Sequence, residues 1–62
     1  MPIIRVEMLA GRSADQKRAM AEELTEAFLR TAGGRREAIS VIVTDVAAQD
    51  WAIGGKTLAD KS

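Results

Sequence analysis

Residues 2–9 read PIIRVEML, and the alternation in this stretch decides how the rest of the chain must fold. Side chains along an extended backbone alternate between its two faces. Ile4, Val6 and Met8 therefore fall on one side, and Ile3, Arg5, Glu7 and Leu9 on the other. That is a strand with one apolar face and one mixed face. AGRS at 10–13 turns the chain. Ser13 suits an N-cap, Gln16 three residues on completes a capping box, and Asp15 meets the positive end of the helix dipole. Met20, Leu24, Ala27 or Phe28, and Thr31 recur at helical spacing, which predicts an amphipathic helix over 14–32. Glu26 and Arg30 are spaced as an i,i+4 pair on its wet side, and Gly33-Gly34 ends it.

AISVIVTDV at 38–46 is rich in β-branched residues and predicts a second strand. Two strands joined by one long helix form a right-handed βαβ unit with parallel strands. AAQDWAIGGKTL at 47–58 reads as a short turn and then a small hairpin about Gly54-Gly55. The expected class is α/β (α+β): a single domain over 1–62, made of a βαβ unit and a short C-terminal hairpin.

Composition shows what this unit lacks. A chain of 62 residues buries only about 60% of the surface it exposes when unfolded, and proteins this small lean on disulfides, a metal or oligomerisation. Cys and His are absent, so disulfides and His/Cys metal sites are excluded; no metal and no cofactor is expected. Yet 47% of the residues are apolar. Self-association is the remaining route. A two-stranded sheet also leaves both edges open, a state soluble proteins avoid. Two copies pairing edge to edge would give a four-stranded sheet per dimer with both helices on one face, and the other face would need covering by further dimers.

Nine Lys and Arg balance nine Asp and Glu, so no net field draws the chain to nucleic acid or to a membrane. Arg5 and Glu7 interrupt the apolar start, which does not resemble a signal peptide, and no run approaches the roughly 18 apolar residues of a membrane span. The expectation is a soluble, cytoplasmic protein.

Few residues are left for chemistry. Nucleophilic triads need His or Cys, and IGGK and AGRS lack phosphate-loop spacing. Glu22, Glu23 and Glu26 read as a solvated helix surface, and Arg35-Arg36 is too short for a nucleic-acid patch. Pro2 is different. Initiator methionine is normally removed before a small residue such as proline, which would leave a free secondary amine held rigidly in a ring. An α-amine titrates at roughly 7.7–8.0 in model peptides, and burial or a nearby cation disfavours its protonated form. A neutral amine near pH 7 suits a general base. Otherwise Pro2 merely starts a strand.

PIIRVEMLAGRSADQKRAMAEELTEAF at 2–28 together with VIVTDVAAQDWAIGGKTL at 41–58 resembles the 4-oxalocrotonate tautomerase family over essentially the whole chain. The starting proline, GRS followed by DQK, VIVT in the second strand, the aromatic residue and IGG are individually weak and jointly specific. The resemblance implies short βαβ subunits assembled as hexamers, trimers of dimers. It also implies a proton shift in an unsaturated 2-oxo acid, an enol or dienol, with Pro2 as general acid/base. Arg12 would come from a neighbouring subunit and bind a substrate carboxylate, or else be a surface residue in a turn. Trp51 would form an apolar wall that excludes water, a role compatible with packing at a subunit interface.

One position departs from the family. A second arginine is usual where this chain has Ser40, and a hydroxyl brings no charge to clamp the 2-oxo acid end. Arg36, Arg35 or Arg5 could supply the missing cation, Arg36 first among them, or be exposed surface. Two other readings follow: hydration or dehalogenation of an unsaturated acid, with Glu7 or Asp50 activating water, and a non-catalytic subunit of a hetero-oligomer whose related chain carries the missing arginine. A domain that keeps the fold without chemistry is a further possibility.

Overall fold

The strand at the start of the chain runs over Ile3–Leu9 (β1) and the second over Ser40–Val46 (β2). They pair in parallel, Ile3 opposite Ser40 and Leu9 opposite Val46. This computed structural model describes residues 1–61. Helix α1 spans Ala14–Ala32, crosses between the strands and makes the parallel pairing possible. A short antiparallel hairpin, β3 (Ala52–Ile53) and β4 (Lys56–Thr57), precedes a last helical turn, α2 (Leu58–Lys61).

Each boundary has a local cause. Ser13 caps α1 by accepting from the Gln16 amide, and the Gln16 side chain accepts from the Ser13 amide, so the capping box is complete. Gly33 closes the helix at a φ of 76°, a conformation that costs a residue with a Cβ and costs glycine nothing, and its amide bonds the Leu29 carbonyl. The second strand starts later than its β-branched run predicts. Arg36–Ala38 wind into a 3-10 turn, with the Ala38 amide on the Arg35 carbonyl and the Ile39 amide on the Arg36 carbonyl.

Register fixes which residues share a face. Ile4, Val6 and Met8 lie beside Val41, Val43 and Asp45. Asp45 is ion-paired with Lys17 of α1, so this is the face turned to the helix. Ile3, Arg5, Glu7 and Leu9, with Ser40, Ile42, Thr44 and Val46, form the opposite face. Met20, Leu24, Ala27 and Phe28 are half-buried, as the helical spacing predicts, but Thr31 is exposed and bonds its hydroxyl to the Ala27 carbonyl. The predicted Glu26–Arg30 pair does not form. Glu26 turns instead to Arg36, beyond the end of the helix, because a charge-assisted contact with a half-exposed guanidinium competes well with a solvated i,i+4 pair.

What the single chain fails to do is equally informative. Among the described residues no hydrophobic side chain is buried, and only Thr25 reaches burial, at 9% exposure. The accessible surface is 4659 Å², against about 3,900 Å² expected for a compact monomer of this mass. The radius of gyration is 14.7 Å, against about 11 Å for a compact chain of this length. Ile3 and Ile42, at 54% and 40% exposure, stand on the face away from the helix, and Ile53 in the hairpin is 56% exposed. This is an open protomer with one covered sheet face.

Candidate functional site

Parallel pairing places the starts of both strands at one end of the sheet. The Ser40 amide donates to the Pro2 carbonyl at 3.0 Å, so Pro2 enters β1 with its carbonyl fixed and its ring at the strand's leading end. Pro2 and Ser40 are both half-buried. The turn that feeds β2 brings Arg36 to the same end, where its guanidinium is ion-paired with Glu26 of α1. Arg35 is more exposed, with its Nε 3.9 Å from the Glu37 carboxylate. The structure thus sets Pro2 and Ser40 side by side, with the Arg36 turn just upstream of Ser40 and its guanidinium engaged on α1. Met1 precedes them and is 94% exposed.

Arg12 and Trp51 are elsewhere. Arg12 is exposed in the link between β1 and α1, directly before the capping serine, and forms no hydrogen bond or ion pair among the described residues. Trp51 follows the 3-10 turn Ala48–Asp50 after β2, and its carbonyl accepts from the Leu58 amide at 2.8 Å, which ties it to the hairpin. Both residues lie past the trailing end of the sheet. Seven residues of β1 at about 3.3 Å each separate that end from Pro2 by about 20 Å. No side chain spans this gap, so one copy cannot put Arg12 or Trp51 on the Pro2 ring.

Trp51 lines an open groove of about 270 Å³ together with Glu7, Val46, Asp50 and Ala52. Glu7 and Asp50 are the carboxylates that the sequence offers for water activation, and the fold sets both beside the indole. The groove opens on the sheet face turned away from the helix, next to the exposed apolar residues. Glu26 is the residue that sequence reasoning placed wrongly. Its partner lies ten positions away across the helix end, and helical spacing signals only neighbours three or four apart. Among the described residues no group of three or more His, Cys, Asp or Glu converges on a metal position, and no helix is long and apolar enough to cross a membrane.

A parallel βαβ protomer with an uncovered apolar face, and a proline and a tryptophan at opposite ends of its sheet, defines a small subunit of the tautomerase type. The family model described as "Tautomerase enzyme" matches residues 2–61. The chain belongs to the tautomerase family, and within it to the 4-oxalocrotonate tautomerase group. It is 40% identical over 60 residues to the 2-hydroxymuconate tautomerase of Bacillus subtilis, covering 97% of each protein. The structure of TomN, a 4-oxalocrotonate tautomerase homologue of the tomaymycin biosynthetic pathway, superposes with a TM-score of 0.92 at 40% identity over 97% of this chain and 92% of that one. A heterohexamer 4-oxalocrotonate tautomerase from Chloroflexus aurantiacus superposes with a TM-score of 0.91 at 29% identity over the full length of both chains.

Proposed function

We propose that this protein is an isomerase that moves a proton within an unsaturated 2-oxo acid, using the ring nitrogen of Pro2 as general acid/base once Met1 is removed. The observation that carries the reading is the position of Pro2: half-buried, directly before the first residue of β1, with its carbonyl held by the Ser40 amide. The neutral amine takes the hydroxyl proton of an enol. The O–H electron pair becomes the C=O π bond, and the displaced C=C pair takes the proton back from the prolinium at carbon. Proton and charge balance within one turnover, and the amine ends as it began.

Arg12 of a neighbouring copy binds the substrate carboxylate, and Trp51 of a neighbouring copy walls the reaction from water. Ser40 offers a hydroxyl to the carbonyl oxygen, while the charge of Arg36, in the turn upstream, is shared by Glu26. The separation of about 20 Å along β1 supports a site made from two copies. A homohexamer, a trimer of dimers, supplies that arrangement and covers the exposed isoleucines. The second reading, a subunit that works only beside a related chain, draws support from the heterohexameric relative. Turnover of phenylenolpyruvate by the purified chain alone decides between them: activity that vanishes in Pro2→Ala supports the first reading, and an inactive homo-oligomer that gains activity with a related chain supports the second.

A further inference from the structure

The sheet face turned away from α1 carries two charged side chains among its strand residues. Ile3, Leu9, Ile42 and Val46 are apolar there, Ser40 and Thr44 are neutral, and Arg5 and Glu7 are charged. Both charged residues are exposed, and neither has an ion pair among the described residues. Covering this face with another copy therefore buries a cation and an anion, which is costly unless each meets an opposite charge. Glu7 also lines the groove of about 270 Å³ with Asp50 and Trp51. That part of the face offers an incoming guanidinium two carboxylates and an indole.

We infer that Arg5 and Glu7 form reciprocal ion pairs between two copies of this chain, which set the register in which the uncovered faces meet and make the assembly selective for its own kind. This rests on the assembly proposed above, in which the Pro2 end of one copy meets the Arg12 end of another. Faces that overlap in that way run their β1 strands in opposite directions. With the contact centred on Val6, Arg5 falls opposite Glu7 and Ile3 opposite Leu9. Moving the centre by one residue sets Arg5 against Arg5 or Glu7 against Glu7. One register thus matches opposite charges and apolar groups together, and it puts Pro2 opposite Ala10, two residues before Arg12. Packed sheets lie about 10 Å apart, a gap that an arginine and a glutamate reaching from opposite sides close together. Every copy brings one charge of each sign, so the face is complementary to itself and repels a face that carries the charges in another order.

Charge exchange tests the pairing. Arg5→Glu and Glu7→Arg should each raise the concentration at which the assembly is half-dissociated by about tenfold, and the two exchanges combined should recover most of that loss. Isotope-labelled wild type, unfolded and refolded with the unlabelled double exchange, should sort. Mixed oligomers in native mass spectra should fall well below the share that labelled and unlabelled wild type give together. Statistical mixing overturns the inference, as does half-dissociation unchanged in both single variants. Should an exchanged protein fail to fold, Arg5→Gln and Glu7→Gln decide: combined they should weaken assembly no more than either alone, and additive losses overturn the pairing. A wild type that assembles and mixes freely with the double exchange sinks these ion pairs and leaves the composite catalytic site standing. Sorted assemblies that do not turn over phenylenolpyruvate uphold the pairing and sink the catalytic reading instead.

Discussion

The Ser40 amide donates to the Pro2 carbonyl at 3.0 Å, and this one bond joins the first residue of the proposed chemistry to the start of the second strand. It is where the parallel ladder begins, since Ile3 next pairs with Ser40. Whatever stands at position 40 is therefore held next to the proline. Serine there leaves the neighbourhood polar but uncharged.

Ser40→Arg should accordingly raise kcat/KM for an enol dicarboxylate. An uncompensated guanidinium close to Pro2 adds a bidentate, charge-assisted contact worth about 2 kcal/mol, or roughly thirtyfold. Steady-state kinetics on 2-hydroxymuconate measure it. A variant that is folded, assembled and no faster would show that position 40 does not face the substrate.

Pro2→Ala should abolish turnover while leaving assembly intact, because the variant keeps an amine but loses the ring and its basicity. Intact-mass spectrometry of the wild type should show the chain without Met1. Comparable rates in the alanine protein would make Pro2 a structural residue only.

Arg12→Ala should also lose activity, chiefly through KM if the arginine only binds and through kcat as well if it polarises the substrate. Mixing is the sharper experiment. Unfolding Pro2→Ala and Arg12→Ala proteins together and refolding them should recover roughly a quarter of the wild-type sites by random assembly, since each site draws on two copies. No recovery would place both residues in one copy, against the separation along β1.

Ile42→Asp should break the assembly. Ile42 is 40% exposed on the face away from α1, beside Ile3 at 54%, and a carboxylate buried there without a partner costs several kcal/mol. Mass measurement in solution should show the wild type as a multiple of the dimer and the variant as smaller or unfolded species. A wild type that is a cooperatively folded monomer at micromolar concentration would contradict the burial pattern.

Ser13→Ala should destabilise the fold by about 1 kcal/mol, the usual cost of losing an N-cap, with little change in kcat. Denaturant midpoints measure this, with the side-chain bond to the Gln16 amide, 3.1 Å, as the contact removed.

Local signals by themselves determined most of the protomer. The alternation in PIIRVEML, the Ser13/Gln16 capping box and the Gly33 stop act over one to four residues, and backbone geometry admits few alternatives at that range. The same short range made Pro2, Arg12 and Trp51 legible as candidates through their motifs. Tertiary structure decided what depends on contacts between distant segments. Parallel register set Ser40 and the Arg36 turn at the Pro2 end, and sent Arg12 and Trp51 to the other. It also took Glu26 from its helical neighbour Arg30 to Arg36, since charges pair by proximity in space, and spacing along a helix says nothing about a turn beyond its end.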